Sequence, residues 1–333
     1  MWKRENDGMS LVNYKTFNLD RRPQVLLVGN GLAYSTGIPW HELIRKTARP
    51  DVDISQYEKL DEKGAFQGFY VPNTVLTLAV AETGDKERHD KYIEALDPSN
   101  PKYEEPAKKP DPEQAQAEIE HRKALLSLPF DAILTTNYTY EWEEMLHPGY
   151  AALSRDGKRR YSYVIDGRQD GKYLLHTFNR FGEDKPDIWH IHGELRRPGS
   201  LILSHDEYAR LVYKVLDYNK SLRNAYSKNR DALKFQSWVD YLILGDVYIL
   251  GLGMDFSEFD LWWLLGRRLR EKAGCGSAVF YEREKEENTH KHRALHDAGV
   301  VVETCGSMIG KSGDYNAFYQ NAIADIRKRL SAK

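Results

Sequence analysis

Val25-Leu26-Leu27-Val28-Gly29-Asn30-Gly31 sets the reading of the chain: four consecutive apolar residues stop at two glycines that bracket an asparagine. A run that is apolar at every position reads as a strand buried on both faces, as in a parallel sheet covered by helices. Five more runs repeat the pattern: Ala132-Ile133-Leu134-Thr135, Ile188-Trp189-His190-Ile191, Val247-Tyr248-Ile249-Leu250, Ala278-Val279-Phe280-Tyr281 and Val300-Val301-Val302. Helical patterns over 257–270, 286–296 and 314–330 lie between or after the later runs. The expected fold class is α/β, a doubly wound, mostly parallel sheet of about six strands.

Two segments break the alternation. Residues 55–128 carry helical patches around the Pro/Lys/Glu-rich stretch 97–112, which reads as an exposed loop within an inserted helical subdomain. Residues 161–178 alternate aromatic or aliphatic with polar residues among the turn signals Asp156-Gly157, Asp166-Gly167 and Asp170-Gly171, and read as an antiparallel excursion at the sheet edge.

Composition excludes several classes. The 333 residues carry 48 basic and 50 acidic side chains, a formal net charge of −2 that argues against nucleic-acid binding; Lys158-Arg159-Arg160 reads as a solvated hairpin end. Two cysteines, Cys275 and Cys305, supply neither a disulfide framework nor a thiolate zinc site. Residues 1–20 lack the apolar core of a signal peptide, and no stretch reaches the ~18 apolar residues that span a bilayer, so a cytoplasmic protein is expected.

Chemistry-bearing residues gather after the strands. Gly29, Asn30 and Gly31, with Ser35 and Ile38 further on, follow the first strand, where glycines admit a diphosphate and a helix start supplies amide donors; a tight strand-to-helix turn explains the same glycines. Thr136 and Asn137 follow the second strand, where a carboxamide can hold a ribose hydroxyl or water, or can cap a helix over 140–145. His190 and His192 end the third, on one face by alternation, with Gly193 leaving room beside His192 for a proton acceptor. Gly251 and Gly253 follow the fourth strand; the run 261–265 after them, Leu-Trp-Trp-Leu-Leu, reads as core or subunit interface. His292 and His296, four apart, read as a solvated helix face.

The ordered set GNG…SxGIP, TTNY, HG and GLG…D, from Val25 to Val302, resembles the sirtuin-like, or silent information regulator, family. The resemblance implies a single sirtuin-like unit: a Rossmann-like NAD-binding core over 20–50 and 129–333, with 51–128 inserted. It implies NAD phosphate binding by the glycine loop, a ribose- and water-holding role for Asn137, and general-base chemistry at His192. Two positions depart from the family pattern: Ala33 replaces a serine, and Thr139 stands where an aspartate is usual, with Glu141 close enough to substitute.

Deacylating sirtuins follow HG with a four-cysteine zinc module, whereas residues 194–245 contain no cysteine. Leu203-Ser204-His205-Asp206-Glu207-Tyr208 resembles instead the bacterial branch of NAD-degrading antiphage effectors, such as those of Thoeris and HerA-associated systems. What this implies is an NAD glycohydrolase making nicotinamide and ADP-ribose, with no cofactor beyond NAD as substrate and no zinc. It further implies a homo-oligomer, or a protein working beside an ATPase of the HerA type or a sensor subunit. An NAD-dependent protein deacylase and a non-catalytic NAD or ADP-ribose sensing module stay open.

Overall fold

A computed structural model describes residues 13–33, 44–45, 53–62, 64, 66–70, 112–150, 163–165, 172–255, 258–271, 275–283, 289–305 and 315–332. The strands are β1 (Thr16–Phe17), β2 (Gln24–Val28), β3 (Glu58–Leu60), β4 (Phe66–Phe69), β5 (Ala132–Thr135), β6 (Tyr163–Ile165), β7 (Thr177–Asn179), β8 (Asp187–His190), β9 (Leu233–Lys234), β10 (Asp246–Leu250), β11 (Ala278–Glu282) and β12 (Val301–Thr304). The helices are α1 (Pro112–Leu126), α2 (Glu141–Leu146), α3 (His205–Lys228), α4 (Trp238–Leu244), α5 (Phe259–Arg270), α6 (Thr289–Asp297) and α7 (Tyr315–Ser331).

Eight strands form the main sheet in the order β12-β11-β10-β2-β5-β8-β7-β6. The six from β12 to β8 are the six apolar runs, and all five of their pairings are parallel. The edge expected over 161–178 is the antiparallel pair β6–β7 beside β8; its three Asp-Gly turn signals lie outside the described residues. The described part of 51–128 holds an antiparallel pair, β3–β4, as well as α1.

Continuous apolarity follows from burial on both faces. Val25 and Leu27 of β2, Leu134 of β5 and Ile249 of β10 enter one core with residues of α3, α4 and α5; Leu26, Val28, Ile133 and Tyr248 enter a second with Leu125 of α1 and Phe318, Ala322 and Ile326 of α7. Burying each such side chain is worth about 1.5–3 kcal/mol. Along α5, Leu261, Leu264 and Leu265 are core while Trp262 and Trp263 pack half-buried at its margin. Among the described residues no helix is long and apolar enough to cross a membrane.

Polar groups pin the amino ends of the strands. Asp131 accepts from the backbone N–H of Gln24 at 2.8 Å, and Asp246 accepts from the N–H and hydroxyl of Ser277 at 2.7 and 2.8 Å. Arg268, buried on α5, donates to the carbonyl oxygens of Leu242, Ile243 (3.2 Å), Gly245 (3.3 Å), Gly276 (2.9 Å) and Ser277 (3.0 Å), so one guanidinium joins the end of α4 to the starts of β10 and β11. Burial lowers its pKa to about 10. Arg268→Met strands those carbonyls and is expected to lower the unfolding free energy by about 3 kcal/mol. A urea titration with an unchanged midpoint would contradict this.

Candidate active site

The registers place Leu250, Val28, Thr135 and His190 in one row across β10, β2, β5 and β8. From β2 the chain adds strands outward on one side to β8, then on the other from β10 to β12, so its direction of winding reverses beside β2. Such a switch point is where open α/β sheets place their ligand sites. All four motifs of the sequence leave the sheet from this row.

Backbone bonds stitch the row together. Gly31 N–H donates to Gly251 C=O at 2.9 Å, Thr136 N–H to Val28 C=O at 3.0 Å and Ile191 N–H to Thr135 C=O at 3.0 Å. Asn30 opens the single turn Asn30–Leu32. The glycines, read from the sequence either as room for a diphosphate or as a tight strand-to-helix turn, are required locally by the turn. A Cβ on Gly29 would meet the Leu252 side chain at 2.4 Å, and one on Gly31 would meet the Tyr319 hydroxyl at 2.6 Å and Gly251 C=O at 2.8 Å. Protein fills the space beside both, whereas Gly253 faces open space. Ser35 and Ile38 lie outside the described residues.

Asn137, buried, donates its Nδ2–H to Glu141 at the start of α2, while its backbone N–H donates to the Thr135 hydroxyl oxygen at 3.0 Å. Tyr140 stands at the cap position of α2, so the capping role open to Asn137 in the sequence is not the one it takes. Behind it Arg122 of α1 donates to Leu32 C=O of the glycine loop; burial lowers the pKa of this guanidinium, opposed by the nearby carboxylates of Glu141 and Glu118. Arg122 thus bonds the glycine loop and feels the charge of Glu141, a placement with no motif in the sequence.

The two histidines part company. The strand ends at His190, so the alternation expected to set both on one face does not extend to His192. His190 is fully occupied: Nδ1 donates to Asn137 C=O and Nε2 to Glu143, each at 2.8 Å. Burial pulls its pKa down, but Glu143, Glu194 and the Asn137 carbonyl outweigh burial and raise it to about 9. An imidazolium with both N–H groups bonded is a structural cation, not a base. His192 turns instead to α3 and α5: its Nε2 lies 2.8 Å from Asp260 Oδ2, and the Tyr208 ring meets it edge-on at 5.2 Å. Gly193 follows at φ +94°, and a Cβ there would strike Ser200 C=O at 2.2 Å, so glycine is required by the chain's return rather than by room beside His192.

Asp260 was not signalled, because an acidic residue in the first turn of a helix is ordinary. Glu258 stands two residues before it; burial, then Asp260 beside it, pushes its carboxyl up to about 7, and its Oε2 has no hydrogen-bond partner among the described residues.

Residues 131–235, from the start of β5 to just past β9, match the family model of the SIR2-like domain. The chain carries a sirtuin-like domain. No curated protein matches the chain. The matched residues of the sirtuin-like domain hold Asn137, His190, His192 and α3, while the glycine loop, Gly251 and Asp260 reach the same row from outside them. A sirtuin-like domain is compatible with NAD-utilising enzyme activity.

Because the folded state raises the His190 pKa, the charged pair stabilises the fold below the unfolded value of about 6.5 and loses that contribution as pH climbs through about 9. Unfolding free energy is expected to fall by about 3 kcal/mol across that window. In His190→Gln the fall should shrink sharply; an equal slope in both proteins would show that another group carries it.

Proposed function

We propose that the protein is an NAD glycohydrolase that releases nicotinamide and ADP-ribose. The observation that supports this reading is the single row of strand ends that brings the glycine loop, Asn137 and His192 to the switch point of the sheet. The bond between ribose and nicotinamide needs little covalent help, because nicotinamide leaves as a neutral pyridine and the transition state resembles an oxocarbenium ion. The chain has to orient the dinucleotide and take up a proton. In this reading Gly29, Asn30, Gly31, Thr136, Gly251 and Gly253 line the dinucleotide, joined by Ser35 and Ile38. The Asn137 carboxamide, held by Glu141, orients the ribose or attacking water, and His192 accepts the proton. Glu141 takes the place that Thr139 leaves empty in the family pattern.

On the resemblance of Leu203 to Tyr208, the proposal extends to an antiphage, abortive-infection effector that works as a homo-oligomer or beside a HerA-type ATPase or sensor subunit. The half-buried Trp262 and Trp263 on α5 are the surface offered for such assembly.

Purified protein, alone and with a candidate trigger, should release nicotinamide from NAD. His192→Ala should lower the rate by about 10²–10⁴, and Asn137→Ala should also lower it markedly. Absence of both release and NAD binding in every assembly state would overturn the reading. NAD-dependent turnover of an acetyl-peptide would transfer it to a deacylase.

A further inference from the structure

The surroundings of His192 distinguish its two ring nitrogens. Nε2 faces Asp260 Oδ2 at 2.8 Å, while Nδ1 makes no hydrogen bond with the described residues and is not among their sealed polar atoms. His192 is 4% exposed and Asp260 1%, and the Tyr208 ring meets the imidazole edge-on. Asp260 lies in the first turn of α5, where the helix dipole favours a carboxylate. A carboxylate only accepts, so the hydrogen on this contact belongs to the imidazole, and a neutral imidazole carries just one. Among the described residues Asp260 makes no other hydrogen bond, and its Oδ1 has no partner. A buried carboxylate attached only to a histidine is costly for the fold, which points to a task beyond stability.

We propose that Asp260 is the positioning residue of the site, holding neutral His192 as its Nε2–H tautomer so that Nδ1 is the nitrogen that receives the proton during NAD cleavage. The role in cleavage rests on the glycohydrolase reading; the tautomer does not. In the step itself a water O–H bond breaks as its proton passes to the Nδ1 lone pair, and the water oxygen bonds to C1′ of the ribose. The C1′–N bond breaks with its electron pair going to nicotinamide, which departs neutral. Asp260 gains no proton and serves as counter-charge to the imidazolium that forms.

Asp260→Asn keeps the shape and reverses the polarity: the new amide donates to Nε2 and drives the ring proton to Nδ1. In the full chain labelled with ¹⁵N-histidine, with the His192 signals assigned by their loss in His192→Gln, the wild-type spectrum should show Nε2 protonated and Nδ1 bare, and Asp260→Asn should show the reverse. With NAD, Asp260→Asn should lose about 10²–10⁴ in kcat with KM little changed. Asp260→Ala, which leaves the ring free to choose, should show both tautomers and an intermediate kcat, and the melting temperatures of the two variants control for misfolding. A proton on Nδ1 in the wild type, or a wild-type kcat in Asp260→Asn, overturns the proposal. If the wild type shows the expected tautomer but does not cleave NAD, the cleavage reading falls and the assigned role of Nδ1 with it, while the hold of Asp260 on the ring stands on the spectrum.

Discussion

Helices close both faces of the six parallel strands, so Val25 through Val28 and their neighbours on β5 and β10 are sealed from water, and the sheet interior has no wet side on which to carry polar chemistry. Side chains that must hydrogen-bond are therefore displaced to the strand ends. At the amino ends Asp131, Asp246 and Arg268 spend their bonds on neighbouring backbone, which locks the registers. At the carboxyl ends the same registers deliver Gly29, Thr136, Ile191 and Gly251 side by side. The site is thus a by-product of two-sided burial: once the strands align, residues immediately beyond them have to meet.

Two histidines and two carboxylates at this edge show how the environment assigns roles. His190 with Glu143 is a closed unit, with both nitrogens bonded, and Asn179 Nδ2–H also donates to Glu143 at 2.9 Å. Its effect is to hold the Asn137 backbone from beneath while Glu141 holds the Asn137 side chain, so the carboxamide is fixed from two directions. Preorganisation of that kind is what a positioning amide needs. His192 with Asp260 is an open unit, with one nitrogen bonded and one left over. Residues of the same type, two apart in sequence, are thereby given different surroundings, one ring bonded at both nitrogens and the other at one.

The six central strands are legible in the sequence because continuous apolar runs and glycine stops are local signals, and all six runs form parallel strands. Strand ends are less so. The third apolar run extends to Ile191 but the strand ends at His190, and that one residue releases His192 from alternation and lets it turn toward α5. The pairing of Thr16–Phe17 with Leu233–Lys234 could not be read, since two-residue strands more than 200 positions apart leave no periodic trace. Partners that depend on tertiary placement leave no trace either: nothing in Glu258-Phe259-Asp260 distinguishes a carboxylate that meets His192 from a favourable first helical turn. Of the two readings that the sequence leaves open for Gly29 and Gly31, the tight turn has a visible local cause, the close approach of the Gly251-Leu252 loop and Tyr319.

That close approach bears on how Asp260 reaches His192 at all, since the two follow strands with β2 and β5 between them. The Gly31–Gly251 bond fastens the loop after β10 to the glycine loop. Within it Met254 is the only non-glycine residue at positive φ among those described, at +47°, and its side chain is wholly buried in the core. Backbone held in so sparsely populated a region persists only where the surroundings enforce it, and here the buried side chain and the glycine contact do so. The start of α5 is therefore set by the sheet rather than free to swing. From that point α5 runs against α3, and the Tyr208 ring of α3 lies 5.2 Å from His192 and 5.7 Å from Phe259, the neighbour of Asp260. One aromatic residue spans the gap that the strand order opens, and packing between two helices becomes the means by which a carboxylate from one side of the switch point is aimed at an imidazole from the other.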